Sequence, residues 1–188
     1  MTILAMDSET AALLKDHVVR WRDCHLCPLG DVSACRVLGR GTAPADVLYV
    51  GEAPGSSEDA TGIPFIGPSG KVLDEWIAKI ELRRPGTSSF VTNIVSCHPS
   101  EGGETRPPAA KEIETCRTRL VELLPIVRPR VIVAVGSVSA AVRFEGYECV
   151  AVRHPSYLLR NKSRYAIESA RAVATVCETL RRLDEEKL

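Results

Sequence analysis

Four short apolar runs, each followed by a glycine or a polar loop and then by a helical pattern, constrain the fold more than any other feature. The runs are 46–50, 90–95, 130–135 and 148–152. Apolar residues recur at helical spacing in the segments between and after them. This alternation predicts an α/β protein with a three-layer α/β/α architecture, in which helices cover both faces of a central, mostly parallel four-stranded sheet. A length of 188 residues fits one such domain, residues 1–188.

Parallel strands joined by right-handed crossovers bring their carboxyl ends to one edge of the sheet, where open α/β sheets place their ligand site. The loop from Gly51 to Gly67 follows the first run and mixes glycines and prolines with acids and Phe65. Asn93 lies at the end of the second run and His154 just after the fourth. We therefore expect this loop, Asn93 and His154 to converge.

The charge balance excludes a globally basic surface. Lysine plus arginine and aspartate plus glutamate both number 24, so binding of nucleic acid would rest on a local patch. One segment, 153–164, carries several basic residues and no acid. No apolar run reaches membrane-spanning length, and residues 1–6 are too short for a signal peptide. These observations predict a cytoplasmic monomer with no membrane partner.

Four of the seven cysteines are candidate metal ligands: Cys24 and Cys27 in a C-x-x-C, Cys97 after the second run, and Cys116 on the next helix. Four thiolates of this kind can hold zinc or an iron–sulfur cluster. Cys116 also lies on the apolar stripe of its helix, so burial alone explains it equally well. The spacing does not decide between a four-cysteine site and ordinary thiols.

Several motifs taken together resemble the family 4, iron–sulfur, uracil-DNA glycosylases. They are GEAPG at 51–55 with GIPFIG at 62–67, TNIVSC at 92–97, and HPSYLLR at 154–160, and the four cysteines fall at the family's cluster positions. The match covers nearly the whole chain, and four motifs occur in the right order. The resemblance implies a 4Fe-4S cluster on Cys24, Cys27, Cys97 and Cys116, and excision of uracil from DNA to start base excision repair.

The resemblance also implies roles for individual residues. A flipped uracil needs an aromatic face, hydrogen bonds to its edge and stabilisation of the departing anion. Phe65 would stack on the base, Asn93 would read its edge, His154 would donate to O2, and Glu52 would activate water or stabilise the sugar cation. The pocket wall would include Gly51 and Ala53. The expected DNA contacts are Ser69, Ser156, Leu158, Leu159, Arg160, Lys162 and Arg164, with the two leucines as a wedge in the base stack.

Three alternatives remain beside this reading. One is a weakly active relative that binds uracil-containing DNA, and another is a glycosylase for a different deaminated or modified base. The third, a nucleotide-binding enzyme, is disfavoured because the loop lacks both the P-loop Lys-Ser/Thr and G-x-G-x-x-G. The chain departs from the family at Ala53, where the most active related branches have Asp, and at 98–100, which reads His-Pro-Ser instead of Arg-Pro-Pro. Residues 101–105 lack the basic, histidine-bearing insert of the DNA-crosslinking branch.

Overall fold

The computed structural model describes residues 7–186, so the expectation for residues 1–6 lies outside the described part of the chain. Five strands form the central sheet, in the order β1-β3-β2-β6-β7. They are β1 (Arg40–Gly41), β2 (Val47–Gly51), β3 (Ser89–Asn93), β6 (Val131–Val135) and β7 (Glu148–Val152). A separate hairpin pairs β4 (Ser100–Glu101) with β5 (Glu104–Thr105).

Helices cover both faces of the sheet. They are α1 (Ser8–Trp21), α2 (Leu29–Val32), α3 (Ser56–Thr61), α4 (Pro68–Arg83), α5 (Ala110–Val127), α6 (Ser137–Ala140), α7 (Pro155–Arg160) and α8 (Lys162–Glu185). Side chains of β2 alternate between two cores. Val47 and Tyr49 pack with α4, α7 and α8 on one face, whereas Leu48 and Val50 pack with α2 and α5 on the other. The predicted three-layer α/β/α arrangement is confirmed.

The predicted strand number was wrong, because the sheet has five strands rather than four. The extra strand β1 pairs antiparallel with β3 at the edge, with Arg40 opposite Val91. The other neighbours, β3-β2, β2-β6 and β6-β7, are all parallel, as predicted. Two residues are too few to show an alternating pattern, so the pairing of β1 is determined by its contact with β3 rather than by its own sequence.

Local signals define the helix ends. Asp7 caps α1, and its carboxylate accepts the Thr10 amide at 2.8 Å. Helix α4 begins at Pro68 after Gly67. The final helix, Lys162–Glu185, is preceded by the short helix α7. Among the helices in residues 7–186, none combines the length and apolar character needed to cross a membrane.

Candidate functional site

A cleft of about 970 Å³ opens where the parallel strands end. Its lining brings together Glu52 and Phe65 from the loop after β2, Asn93 from the end of β3, and His154 after β7. Register explains the meeting, since Gly51 pairs with Asn93 across β2 and β3. The predicted convergence at one sheet edge is confirmed.

Glu58 holds the loop after β2 in shape. One carboxylate oxygen accepts the amides of Ile66 and Gly67 at 3.0 and 2.9 Å, and the other accepts the Gly55 amide at 3.1 Å. A single ionised side chain therefore ties both ends of the loop together through charge-assisted hydrogen bonds.

Asp59 anchors the same loop to a distant segment. Its carboxylate accepts the amides of Ala34 and Cys35 at 3.0 and 3.4 Å. Glu52 differs from Glu58 and Asp59, because no donor among residues 7–186 reaches its side chain. Burial alone raises the pKa of the Glu52 carboxyl above its usual range. Of the three acids in the loop, Glu52 is therefore the one left for chemistry.

Phe65 is fixed at the base of the cleft by an unusual backbone. Its φ is 54°, in the left-handed region, and its side chain is buried. Two glycines make this possible. A Cβ at Gly70 would lie 1.8 Å from the Phe65 carbonyl oxygen, and one at Gly51 would lie 2.4 Å from its ring and 2.3 Å from Oδ1 of Asn93. Gly51 thus lets the aromatic ring and the amide approach each other.

Asn93 presents a buried amide to the cleft. The residue is 2% exposed, yet no donor within residues 7–186 bonds its Oδ1. A buried acceptor without a partner is costly, and a ligand that supplies an N–H removes that cost. Its backbone is held firmly, since the Asn93 carbonyl accepts Nη2 of Arg119 at 2.6 Å.

His154 is held as a neutral donor. Its Nδ1 accepts the Ser156 amide at 3.1 Å and lies 2.8 Å from the Ser156 hydroxyl, so the ring proton is carried by Nε2. Burial, aided by the charge of Arg160, lowers the pKa of the imidazole. The ring lies 6.2 Å from that of Phe65. His154 and Phe65 therefore flank one space in the cleft.

The predicted DNA contacts are only partly brought together. Ser69, Ser156 and Arg160 line the cleft, whereas Lys162 and Arg164 are exposed at the start of α8 outside that lining. Leu158 was wrongly predicted as half of the wedge. It has no exposed surface, because α7 turns it into the core beside α4 and α8. Leu159 is 37% exposed and remains the candidate.

The sequence reasoning missed Arg119, the residue behind Asn93. Arg119 is fully buried on α5 and bonds the carbonyls of Leu38 and Asn93 and the hydroxyl of Thr92. One signal was present in the sequence, since Arg119 follows Cys116 by three residues and so falls on the apolar stripe of its helix.

The four candidate cysteines come from three segments of the chain, and three of them belong to one core. Cys97 is buried, and Cys27 and Cys116 pack against the same core. Burial raises the pKa of the Cys97 thiol to about 11, and charge on Cys116 and Cys27 adds to the rise. Burial likewise raises the pKa of Cys27, with added repulsion from Cys116 and Cys24. In the part of the chain the structure describes, no group of three or more His, Cys, Asp or Glu is arranged to hold a metal ion.

Arg36 holds the segment that carries Cys24 and Cys27. Its guanidinium donates to the carbonyls of Cys24 at 2.8 Å, Ser33 at 3.3 Å and Gly30 at 2.5 Å. Gly30 is packed tightly here, since a Cβ at this position would lie 2.4 Å from the Cys24 carbonyl oxygen. The positive charge of Arg36 also opposes the rise in the pKa of Cys97.

Comparison with known proteins identifies relatives of this chain. Residues 38–181 match the model of the uracil DNA glycosylase superfamily. The chain is 38% identical over 124 residues to a type-4 uracil-DNA glycosylase of Pyrobaculum aerophilum, covering 66% of this chain and 61% of that protein. It is 38% identical over 135 residues to that of Archaeoglobus fulgidus, covering 72% and 65% respectively.

A third relative is covered over more of its length. The chain is 32% identical over 162 residues to the type-4 uracil-DNA glycosylase of Thermotoga maritima, covering 77% of this chain and 82% of that protein. In the Pyrobaculum and Archaeoglobus proteins, by contrast, the match spans less than two thirds of the relative. With the fold and the superfamily match, these similarities show that the chain belongs to the type-4 family of the uracil DNA glycosylase superfamily.

Proposed function

We propose that this protein is a monofunctional uracil-DNA glycosylase, which hydrolyses the N-glycosidic bond of uracil in DNA and starts base excision repair. The names of the type-4 relatives support this activity. The observation that carries it in this chain is the buried amide of Asn93, whose Oδ1 lacks a donor among the described residues. Glu52, Phe65 and His154 line the same cleft.

Asn93 selects the base. Its Oδ1 accepts the N3–H of uracil while its amide nitrogen donates to O4. Cytosine presents an unprotonated N3 and an exocyclic amine, which is the reverse pattern. A mismatched base would leave the buried amide unpaired, at a cost of about 1–3 kcal/mol per group. Phe65 stacks on the base after it leaves the duplex, and Gly51 and Ala53 complete the wall.

His154 stabilises the leaving group. As the bond to the sugar breaks, negative charge builds on uracil O2, and the Nε2–H of His154 donates a hydrogen bond to it. The Ser156 contacts fix the tautomer that makes this possible. A positioned neutral donor of this kind stabilises a developing oxyanion without having to release a proton.

Glu52 acts at the sugar. Its carboxylate orients the attacking water and stabilises the positive charge that develops at C1′. Water adds its oxygen to C1′ and loses a proton to solvent, the pair of electrons of the broken bond leaves with uracil, and the uracil anion takes up a proton from solvent. The products are free uracil and an abasic site.

The DNA strand lies over the mouth of the cleft. Ser69, Ser156 and Arg160 contact phosphates there, Lys162 and Arg164 extend the basic surface, and Leu159 occupies the place of the flipped base. One chain supplies every proposed contact, which supports the proposal that the protein acts as a monomer.

Cys24, Cys27, Cys97 and Cys116 hold a 4Fe-4S cluster. The donor set would fit this group, because four thiols come from three segments and the charges of Cys116 and Cys24 act on Cys27 while those of Cys116 and Cys27 act on Cys97. When bound, the cluster is structural and cross-links the segment after α1 to the loop after β3 and to α5.

A cysteine replacement tests the cluster. Cys97→Ala should lose the brown colour and most of the iron and melt at a lower temperature. Cys177→Ala, on α8 and packed against the opposite core, is the matched control and should keep both. Equal iron content and equal melting in the two variants would contradict the assignment.

The activity is tested on an oligonucleotide with one central uracil, beside others that carry cytosine, hypoxanthine or a modified uracil. We expect alkali-sensitive abasic sites from uracil and none from cytosine. Binding without cleavage would point to the weakly active relative, and faster release of another base would point to a different lesion.

A further inference from the structure

The side chain of Arg119 is buried with a charge that no acid in the described part of the chain neutralises. It is fully buried on α5, and its acceptors are two carbonyls and one hydroxyl. No Asp or Glu of residues 7–186 forms an ion pair with it. A buried charge without a counter-charge is expensive, so its presence needs an explanation.

One explanation lies at the base pocket. Nη2 of Arg119 bonds the Asn93 carbonyl at 2.6 Å, and Nη1 lies 3.3 Å from the Thr92 hydroxyl and from the Leu38 carbonyl. The guanidinium thus binds the last two residues of β3, Thr92 and Asn93. The Asn93 side chain, on the other side of this backbone, faces the cleft.

The other explanation lies at the cysteines. Arg119 and Cys116 are one helical turn apart on the same face of α5. The Ser96 amide lies 3.4 Å from the sulfur of Cys116, so the short segment from Asn93 to Cys97 is bound by both side chains. Four thiolates with a 4Fe-4S core would carry a net negative charge, which would supply a counter-charge for Arg119.

We propose that Arg119 is a positioning residue that fixes Asn93 for base recognition and takes its counter-charge from the four-cysteine site. One guanidinium thereby couples the two sites. The inference rests on the proposed function, because it assumes that Asn93 reads uracil and that the cysteines hold the cluster.

The neighbouring histidine supports an unneutralised charge at this place. Burial is the largest cause that lowers the pKa of His17 to about 4, and the charge of Arg119 is the second. This effect agrees with the lack of an acidic partner for Arg119 among residues 7–186.

The test replaces Arg119 by Met, with Arg117→Met as the matched control on the same helix. Arg117 is exposed, and its one polar contact within residues 7–186 is the Arg143 carbonyl at 3.3 Å. We expect the single-turnover rate of uracil excision to fall roughly 10- to 100-fold in Arg119→Met. DNA affinity should hold, because the phosphate contacts are elsewhere. Arg117→Met should match wild type.

A double-mutant cycle separates positioning from general damage. If Arg119 acts through Asn93, Arg119→Met should cost almost nothing further in an Asn93→Ala background. If the two losses multiply, the positioning role is wrong. The reduction potential of the cluster should also fall in Arg119→Met, because a nearby positive charge stabilises the reduced, more negative state. An unchanged potential would contradict the proposal that the cluster supplies the counter-charge of Arg119.

Arg119→Lys covers the case in which the Met variant does not fold. Lysine keeps the charge but not the planar fork, so the potential should stay near that of wild type while the rate still falls. A wild-type rate in Arg119→Lys would contradict the positioning role. If wild type itself excises no uracil, the proposed function fails and this inference with it; if wild type is active and Arg119→Met behaves as Arg117→Met, only the inference fails.

Discussion

The two ends of the central sheet both carry polar side chains. At the amino end these side chains pair with opposite charges, whereas Glu52, Asn93 and His154 at the carboxyl end have no charged partner among residues 7–186. At the amino end of the strands, Asp46 accepts the amide and the hydroxyl of Ser88 at 2.9 and 2.8 Å. Arg130 pairs with Asp46 at 3.4 Å and with Asp184, which also bonds Arg84. These contacts join the starts of β2, β3 and β6 to the end of α8.

At the carboxyl end the side chains proposed to act on the base and the sugar differ from these. Glu52 has no donor among the described residues, Oδ1 of Asn93 has none either, and His154 is held neutral with its Nε2–H directed away from its Ser156 partner. Phe65 adds a left-handed backbone. Polar groups that pair within the chain stabilise it, whereas those left without partners cost stability and are available to a ligand.

The largest effect should come from Glu52. Glu52→Gln should slow uracil excision by about 10²- to 10⁴-fold, because it removes a positioned carboxylate, and should leave the melting temperature unchanged. Burial raises the pKa of Glu52, so the wild-type rate should fall with decreasing pH through that raised pKa, above the range of an ordinary glutamate. This limb should be absent from the profile of the variant.

Glu145→Gln, at an exposed position away from the cleft, is the control for Glu52 and should show wild-type kinetics. Single-turnover rates between pH 4 and 8 make the comparison. Equal rates for Glu52→Gln and Glu145→Gln would show that Glu52 takes no part in the reaction. The proposed difference between the two ends of the sheet would then be wrong for this residue.

At the paired end, Asp46→Ala should affect stability instead of chemistry. Removing a carboxylate that accepts from Ser88 and Arg130 should lower the free energy of unfolding by about 1–3 kcal/mol. Urea unfolding measures this loss. The excision rate of the folded variant should equal that of wild type, and a slower rate at unchanged stability would break the distinction between the ends.

A smaller effect concerns His17, which is buried on α1 and belongs to neither end. Burial is the largest cause that lowers the pKa of His17, to about 4, and the charge of Arg119 is the second. The charge of Glu122 raises this pKa, and that of Arg20 lowers it further. Between its usual pKa of 6.5 and about 4, the unfolded chain binds a proton that the folded chain does not. Stability should therefore fall as pH falls, by at most about 1.4 kcal/mol per pH unit.

His17→Leu should remove this contribution. The difference in unfolding free energy between the variant and wild type should grow from pH 7 to pH 5, while the carboxylates and His154 titrate alike in both. A difference that does not change with pH would show that His17 is protonated equally in the two states.

The sequence was sufficient for the parts of the fold that local patterns encode. Runs such as 130–135 alternate or are wholly apolar, and glycines mark their ends, so β2, β3, β6 and β7 and the meeting of Asn93 with His154 followed from spacing and topology. Strand β1 and the hairpin of β4 and β5 did not, since two-residue pairings depend on a distant partner.

The roles of charged residues were harder to predict. Glu58 and Glu52 look alike in the sequence, and only the folded loop shows that Glu58 is satisfied by three amides whereas Glu52 is not. Leu158 and Leu159 are adjacent, and the turn of α7 alone decides which is buried. Arg119 carries a charge on an apolar stripe, which a pattern of hydrophobicity cannot interpret.

The most direct test of the account is single-turnover excision of uracil by wild type and by Asn93→Asp. The substitution keeps the shape of the side chain but replaces the donor to O4 with a second acceptor. We expect wild type to release uracil and Asn93→Asp to be slower by at least about 100-fold, at similar DNA affinity and unchanged iron content. Equal rates for the two proteins would contradict the claim that the unpartnered amide of Asn93 recognises the base.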